Sequence, residues 1–398
     1  MKKIVILGST GSIGINVLSI IQKNPKLFKV VALSADKNIK TMIRQCEIFS
    51  PKWASLRSIK AAKELKIQLE KRNIKTQVLS GNQASCQLAS LESADYVVSA
   101  IIGASGLIST LHAIKSKKTI WLANKESLVI GNHLLMKEIK ANNTVLIPLD
   151  SEQNAMFQSF PINIQKNIRS INLNEYGVKS IVLTGSGGPF LKFPLRQLRD
   201  VTPYQACKHP NWIMGKKISV DSATMMNKGL EYIETKLLFN VRNVEIELVI
   251  HPESIIHSMI RYQNGSVIAN LSANDIRISI AYAMFWPDKV MFNLPHLDFF
   301  ELQKLSFKKP NFKKYPCLKL ALHAYRSGHA SIIVLNAANE VAVFEFLRSR
   351  IRFTDIHKVV ESVLNMLSFS NPLDFDEILN IDRVSRVKTH EIISEFFK

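Results

Sequence analysis

An apolar strand, residues 4–7, runs without a break into Gly8-Ser9-Thr10-Gly11-Ser12-Ile13-Gly14 and then into a helical pattern over 14–22. The glycines let the backbone turn sharply and approach a pyrophosphate. The helix start adds free N–H groups and the positive end of its dipole. Alone, such a glycine pattern also fits a plain strand-to-helix turn. Its place after an N-terminal strand strengthens the dinucleotide reading. Apolar strands at 29–34, 96–100, 119–122 and 144–149, with a helix at 41–49, continue the series. Strands alternating with helices imply an α/β fold, with a doubly wound, Rossmann-like sheet over residues 1–150.

The chain has 398 residues, too many for one compact core. With 46% hydrophobic and 21% charged residues, general disorder is excluded. Its net charge of +20 first suggests nucleic acid or an anionic membrane as partner. The lysines are scattered, however, and no aromatic-interleaved basic patch stands out, so no nucleic-acid partner is expected. A basic surface still attracts phosphorylated ligands. Cys46, Cys86, Cys207 and Cys317 form no CxxC pair, which fits a reducing, cytoplasmic setting. Met1-Lys2-Lys3 before the first strand has the outline of a signal peptide, but Gly8 interrupts it. No apolar run approaches the roughly 18 residues of a membrane span, so a soluble protein without membrane contact is expected.

From 151 to 290 the pattern becomes α+β. Strands are expected at 179–184, 245–250, 254–262 and 266–271, with helices at 152–159 and 223–239. Asn264-Gly265 marks a hairpin, since both residues tolerate positive φ, and its sheet can carry a dimer contact. The stretch 287–311 reads as a connector, with 291–311 as the linker proper. Helical periodicity at 318–325, 330–348 and 354–367 gives a C-terminal helical bundle over 312–398.

Several runs carry candidate chemistry. After the second strand, Asp36 suits the ribose hydroxyls of NAD, whereas Lys37 and Asn38 suit the 2′-phosphate of NADP. Asn124-Lys125-Glu126 follows a strand end, where ligand crevices open; an exposed ion pair explains it equally well. In extended chain Asp150 and Glu152 project to one side and suit a hard divalent cation such as Mg²⁺ or Mn²⁺. Capping of the next helix by Asp150 or Ser151 is the plainer explanation.

The run 221–231 is the most informative. Asp221 or Ser222 can cap a helix on which Asn227, Lys228 and Glu231 share one side. Such an edge can hold a phosphate at one end and a metal further along, with Glu231 completing a cage with Asp150 and Glu152. A solvated Lys228–Glu231 pair is the bland alternative. Gly185-Ser186-Gly187-Gly188 forms either an anion-binding nest or a simple turn. His209 can bind phosphate or act as an acid/base, its ordinary pKa lying near neutrality. Trp212 and Met214, next to Gly215, suit a mobile apolar lid or a buried Trp. Cys207 diverges from His209 in extended chain, which argues against a thiol nucleophile.

GSTGSIG at the N-terminus, ANKES at 123–127, LDSEQNA at 149–155, LTGSGGPF at 183–190, the block 209–234, HPESIIHSMIRYQNGS at 251–266 and LNAANE at 335–340 lie in register along nearly the whole chain. Together they closely resemble the 1-deoxy-D-xylulose 5-phosphate reductoisomerases. The resemblance implies a homodimer that makes 2-C-methyl-D-erythritol 4-phosphate from the ketose phosphate, with NADPH and Mg²⁺, Mn²⁺ or Co²⁺, in the non-mevalonate isoprenoid route. By it, Thr10, Gly11, Ser12, Ile13, Asp36, Lys37, Asn38, Asn124, Glu126 and Gly215 line the cofactor, and Asp150, Glu152 and Glu231 hold the metal. Lys125, Ser151, Glu152, Ser186, His209, Ser222, Asn227, Lys228 and Glu231 meet the substrate, with Lys125, Asp150, Glu152, His209 and Glu231 catalytic, while Trp212 and Met214 belong to the flap. The implied chemistry is a retro-aldol cleavage and re-addition on metal-chelated oxygens, followed by hydride delivery to the aldehyde, with Lys125 stabilising the oxyanion. Two residues depart from the family pattern: Asp36 stands where Gly is common, and Ile276 where Met is expected beside the flap. A dehydrogenase without a rearrangement step is the competing enzyme class.

Overall fold

A computed structural model describes residues 1–168, 172–241, 245–288 and 293–396. Met291 and Phe292 of the expected linker, and residues 397–398 of the expected C-terminal bundle, lie outside the described residues. The chain forms two compact units: Met1–Ser127 with Leu135–Asp150 and Ile276–Leu294, and Leu128–Leu134 with Ser151–Asp275 and Pro295–Lys398. The boundary between Asp150 and Ser151 falls at the expected cut of 150, while Ile276–Leu294 returns to the first unit and Pro295–Lys398 to the second.

The first unit alternates β1 (Lys2–Leu7), α1 (Ser12–Lys23), β2 (Phe28–Ala35), α2 (Ile39–Phe49), β3 (Trp53–Leu56), α3 (Ile59–Glu70), β4 (Gln77–Ser80), α4 (Ala84–Ala89), β5 (Tyr96–Ser99), α5 (Leu107–Lys115), β6 (Thr119–Leu122), α6 (Lys125–Ala141) and β7 (Leu146–Pro148). All seven strands are parallel, in the order β4-β3-β2-β1-β5-β6-β7. The order reverses between β1 and β5, which is the switch point where such sheets open their ligand crevice. Ile4, Val5, Ile6 and Leu7 are fully buried, as a strand covered on both faces requires.

The second unit takes in the Leu128–Leu134 stretch of α6 and continues with α7 (Ser151–Ser159) and α8 (Ile162–Asn167). Its four-stranded sheet has the order β11-β10-β8-β9, built from β8 (Val178–Gly185), β9 (Glu245–Ile250), β10 (Ile256–Tyr262) and β11 (Val267–Leu271). The Asn264-Gly265 hairpin joins β10 and β11 as expected, with Gly265 at φ 89°. Between β8 and β9 lie α9 (Pro203–Cys207), α10 (Lys216–Thr224) and α11 (Met226–Leu238).

The single helix expected over 223–239 is therefore corrected to two helices. Met225 is left-handed at φ 58°, and the Thr224 hydroxyl accepts the Met226 N–H at 3.3 Å, so the chain turns between them. Asp221 and Ser222 accordingly lie in the last turn of α10 and do not cap the helix that carries Glu231. The strand expected from 254 starts at Ile256, because Ser254 is left-handed in a turn back to His251.

After β11, α12 (Ile276–Phe285) joins the first unit and packs on α1, with Phe285 edge-on to Phe28. The expected connector is not loose at its far end, where Lys308 and Ile250 exchange two backbone bonds of 2.8 Å. The bundle holds α13 (Pro316–Ser327), α14 (His329–Leu347), α15 (Asp355–Met366) and α16 (Phe375–Phe396), the last absent from the sequence reading. Among the described helices α14 alone is long and apolar enough to cross a membrane, but 78% of that window is buried. A helix apolar on all sides is here the core around which its neighbours pack.

Candidate active site

Where β7 ends, Asp150 is followed at once by α7, and Glu152 sits in its first turn. The two carboxylates thus do not converge as alternate residues of a strand; they meet across a strand-to-helix junction. Glu231, wholly buried, comes from α11. Next to Glu152, the Gln153 amide donates to the Glu231 carbonyl at 3.1 Å and to the Thr235 hydroxyl at 3.0 Å, fixing α7 against α11. One oxygen each of Asp150, Glu152 and Glu231 lies within 4.8 Å of the others. Oxygens around a six-coordinate Mg²⁺ with bonds of about 2.1 Å stand roughly 3–4 Å apart, so a small contraction closes this set on a cation.

Three carboxylates this close need positive charge. Lys125, buried, is ion-paired with Asp150. Lys228, also buried, donates to Glu152 at 2.8 Å and to Glu231. Burial alone would lower the Lys228 pKa; Glu152 and Glu231 outweigh it and hold the ammonium charged. Asn227 donates to the other Glu231 oxygen, and the Ser151 hydroxyl to Glu152 at 2.5 Å. Among these described residues, two ammonium groups against three carboxylates leave a net charge of −1, and the carboxylate oxygens fit a hard divalent cation.

Beside this set, β8 ends in Gly185-Ser186-Gly187-Gly188. Gly188, at φ 70°, stacks on the end of α10: a Cβ there would sit 2.7 Å from the Ser222 carbonyl oxygen. Only glycine lets the loop approach Ser222 so closely. The Ser186 hydroxyl receives the Gly188 N–H at 3.0 Å and lies 2.9 Å from His209 Nε2.

His209 Nδ1 accepts the backbone N–H groups of Asn211 and Trp212 at 3.2 and 3.0 Å. Nδ1 therefore carries no proton, and the neutral ring donates from Nε2 to Ser186, leaving the serine O–H to donate onward. Burial pushes the His209 pKa down to about 4 despite Glu152 nearby. With its pKa lowered by burial and Nδ1 accepting two backbone N–H groups, His209 here is a neutral donor of fixed tautomer.

The same burial holds His329 at about 4. The unfolded chain takes up these protons near 6.5 and the folded chain only near 4, so stability is full above 6.5 and falls as pH drops through that window. Urea melts at stepped pH should show this decline, and His209→Gln should flatten it; an unchanged slope would contradict the neutral assignment.

Trp212 and Met214 lie in the irregular segment between α9 and α10, with Ile213 fully exposed and Gly215 at the start of α10. Trp212 stands 5.9 Å from the buried His257 ring, and the Asn211 amide ties the segment's base to Pro252 and Ser254 at 2.6 and 2.9 Å. Asn211 and His257 carry no role in the sequence reading; the 251–266 block, which holds His257 and the Asn211 partners Pro252 and Ser254, was the available signal. Asp221, too, is structural: buried, it binds Lys217 and Asn339, both at 2.8 Å.

In the first unit, Gly8 turns at φ 89°, where a Cβ would lie 2.3 Å from the Ala100 carbonyl oxygen. Thr10 lies in the turn, Gly11 is the N-cap of α1 without a side-chain cap, and Ser12 and Ile13 open the helix. Buried Ser9 exchanges two bonds with Gln45 of α2, at 2.7 and 2.8 Å, which holds this turn in shape. Lys37 is exposed; Asn38 caps α2 through its side-chain oxygen. The Asn124 amide is used within the chain, bonding to Gly103 and Ser127 at 2.9 Å and to Ile101. It shapes the loop after β5. Glu126 is buried in the first turn of α6. Asp36 is paired at 2.7 Å with Arg57, a partner the sequence did not reveal.

A parallel dinucleotide-type sheet and a cluster of three carboxylates balanced by two lysines define a metal-assisted oxidoreductase. The chain matches the family model for 1-deoxy-D-xylulose 5-phosphate reductoisomerase over residues 4–132, and models of that enzyme's C-terminal domains over 146–239 and 271–388. It is 55% identical over 394 residues to the reductoisomerase of Buchnera aphidicola from Acyrthosiphon pisum (strain Tuc7), covering 99% of both chains. A relative from Buchnera of Schizaphis graminum is 52% identical, with the same coverage. The Zymomonas mobilis enzyme, solved with NADPH, is 37% identical, with a TM-score of 0.89 over 99% of this chain and 100% of that one. A reductoisomerase solved with NADPH, fosmidomycin and magnesium is 38% identical, with a TM-score of 0.95 and the same coverage. This chain belongs to the 1-deoxy-D-xylulose 5-phosphate reductoisomerase family.

Proposed function

We propose that the chain converts 1-deoxy-D-xylulose 5-phosphate to 2-C-methyl-D-erythritol 4-phosphate with NADPH and a divalent cation (Mg²⁺, Mn²⁺ or Co²⁺), in isoprenoid precursor synthesis. The observation that carries this reading is the meeting of Asp150, Glu152 and Glu231 around one point. When bound, the cation polarises the substrate's carbonyl and hydroxyl oxygens and NADPH supplies the hydride. The three carboxylates hold the cation. Lys125, beside Asp150, faces charge that develops on a substrate oxygen. Ser186, with its O–H left to donate, anchors the phosphate together with Ser222, Asn227 and Lys228, and His209 orients Ser186. Remote anchoring of this kind fixes the reacting end in place. Trp212 and Met214 close over the substrate and exclude water. Thr10, Gly11, Ser12, Ile13 and Lys37 face the dinucleotide, with Asn124, Glu126 and Gly215 completing its surroundings.

A homodimer is part of the proposal. The edge strand β11 leaves Val267 and Ile268 about half exposed, and an unpaired apolar edge invites a second copy. All four cysteines are free thiols, three of them buried, in keeping with a cytoplasmic setting.

The test is an initial-rate assay of NADPH consumption with the ketose phosphate. EDTA should abolish turnover and Mn²⁺ restore it. Turnover that survives exhaustive metal removal would favour a simple dehydrogenase and overturn this reading.

A further inference from the structure

At the carboxyl end of the parallel sheet, β2 and β3 stop side by side, with Ala35 in register with Leu56. The chain leaves both strands in step. Arg57 N–H donates to the Ala35 carbonyl and Ser58 N–H to the Asp36 carbonyl, each at 3.0 Å. Backbone bonds therefore hold Asp36 and Arg57 as neighbours. Their side chains then meet, Arg57 Nε donating to Asp36 Oδ1 at 2.7 Å.

Both side chains are largely exposed, 64% and 51%, and such a pair adds little to stability. Its consequence is positional. In a βαβ dinucleotide unit, an acidic residue past the second strand takes the ribose hydroxyls of NAD, while a nearby arginine accommodates the 2′-phosphate of NADP. This chain carries both at one place, and they are bonded to each other. With Nε committed to Asp36, the guanidinium keeps both Nη groups as donors. Asp36, Lys37 and Arg57 together sum to +1, so the strand end is basic in spite of the aspartate.

We propose that Arg57, held in orientation by Asp36, is a specificity-determining residue for the cofactor, its Nη groups binding the adenosine 2′-phosphate. Asp36 aims the guanidinium and reads no ribose hydroxyl. The assignment rests on the NADPH reading above and adds to it a residue outside the Asp36-Lys37-Asn38 run. Arginine suits the task because its planar fork matches a phosphate in two bonds.

Calorimetric titration of the full chain with adenosine 2′,5′-bisphosphate and with 5′-AMP isolates the 2′-phosphate, the sole difference between the probes. Arg57→Gln should weaken the bisphosphate by about tenfold or more, as loss of a charge-assisted pair implies. AMP affinity should stay within about twofold. Arg57→Lys should recover part of the loss. Adding Asp36→Gly to Arg57→Gln should also recover part, since it removes the carboxylate then left unpaired beside the phosphate. An equal loss for both probes, or none for the bisphosphate, overturns the assignment while leaving NADPH use intact. A wild-type chain that binds the bisphosphate no better than AMP overturns both.

Discussion

Glu231→Gln should lower kcat/KM by about a thousandfold while leaving the chain folded, since loss of several kcal/mol of metal-borne stabilisation at about 1.4 kcal/mol per tenfold gives that scale. The substitution is isosteric, and the amide oxygen can still accept from Asn227. What it removes is one negative charge from a set of three, and with it both a hard oxygen ligand and one of the two carboxylates that keep Lys228 charged. Two measurements separate the effects. Mn²⁺ binding, followed by its electron paramagnetic resonance signal, should weaken along with turnover, whereas thermal melting should show a cooperative transition. A variant that retains wild-type Mn²⁺ affinity and a rate within about tenfold would remove Glu231 from the cage and leave Asp150 and Glu152 without their third partner.

The sequence made the chemistry easier to read than the packing. Glu231 was placed beside Asn227 and Lys228 by helical spacing alone, and the structure keeps all three on one edge of α11. Helical spacing could not show that Lys228 turns inward, because an i, i+3 ion pair looks the same on a wet surface and in a buried site. The burial is decided by α7, which brings Glu152 from 76 positions away. Likewise Asp36 read as a residue suited to the ribose hydroxyls of NAD, since Arg57 lies 21 residues on and meets it only through the pairing of β2 with β3.

The missed elements have local causes. β3 and β4 are four residues each, and β4 is a half-exposed edge with no apolar run to mark it. In α16 the buried face includes Ser385 and Thr389, so the apolar stripe running from Ile378 to Ile393 is interrupted where periodicity is sought. The split at Met225 was invisible for another reason. Methionine is an ordinary helix former, and its left-handed backbone is imposed by the packing of two helices, with no glycine or proline to announce it.

Lys228→Met should destabilise the fold by about 3–5 kcal/mol, the usual consequence of stripping the cation from a buried pair. Glu231 is wholly buried, hence it cannot turn to water for compensation. Methionine preserves much of the volume of the lysine stem, which confines the loss to charge and hydrogen bonds. Divalent metal should then act on stability more strongly than in the wild type. In the parent chain an entering cation competes with the ammonium for Glu152 and Glu231; in the variant it takes the place of the lost ammonium charge. Millimolar Mn²⁺ should therefore raise the melting temperature of Lys228→Met more than that of the wild type, even though KM for the ketose phosphate increases because an anchoring group is gone. If the variant melts as the wild type does, or gains no more from Mn²⁺, Lys228 is not the counter-charge of this site, and the balance of two ammonium groups against three carboxylates has to be redrawn around a different cation.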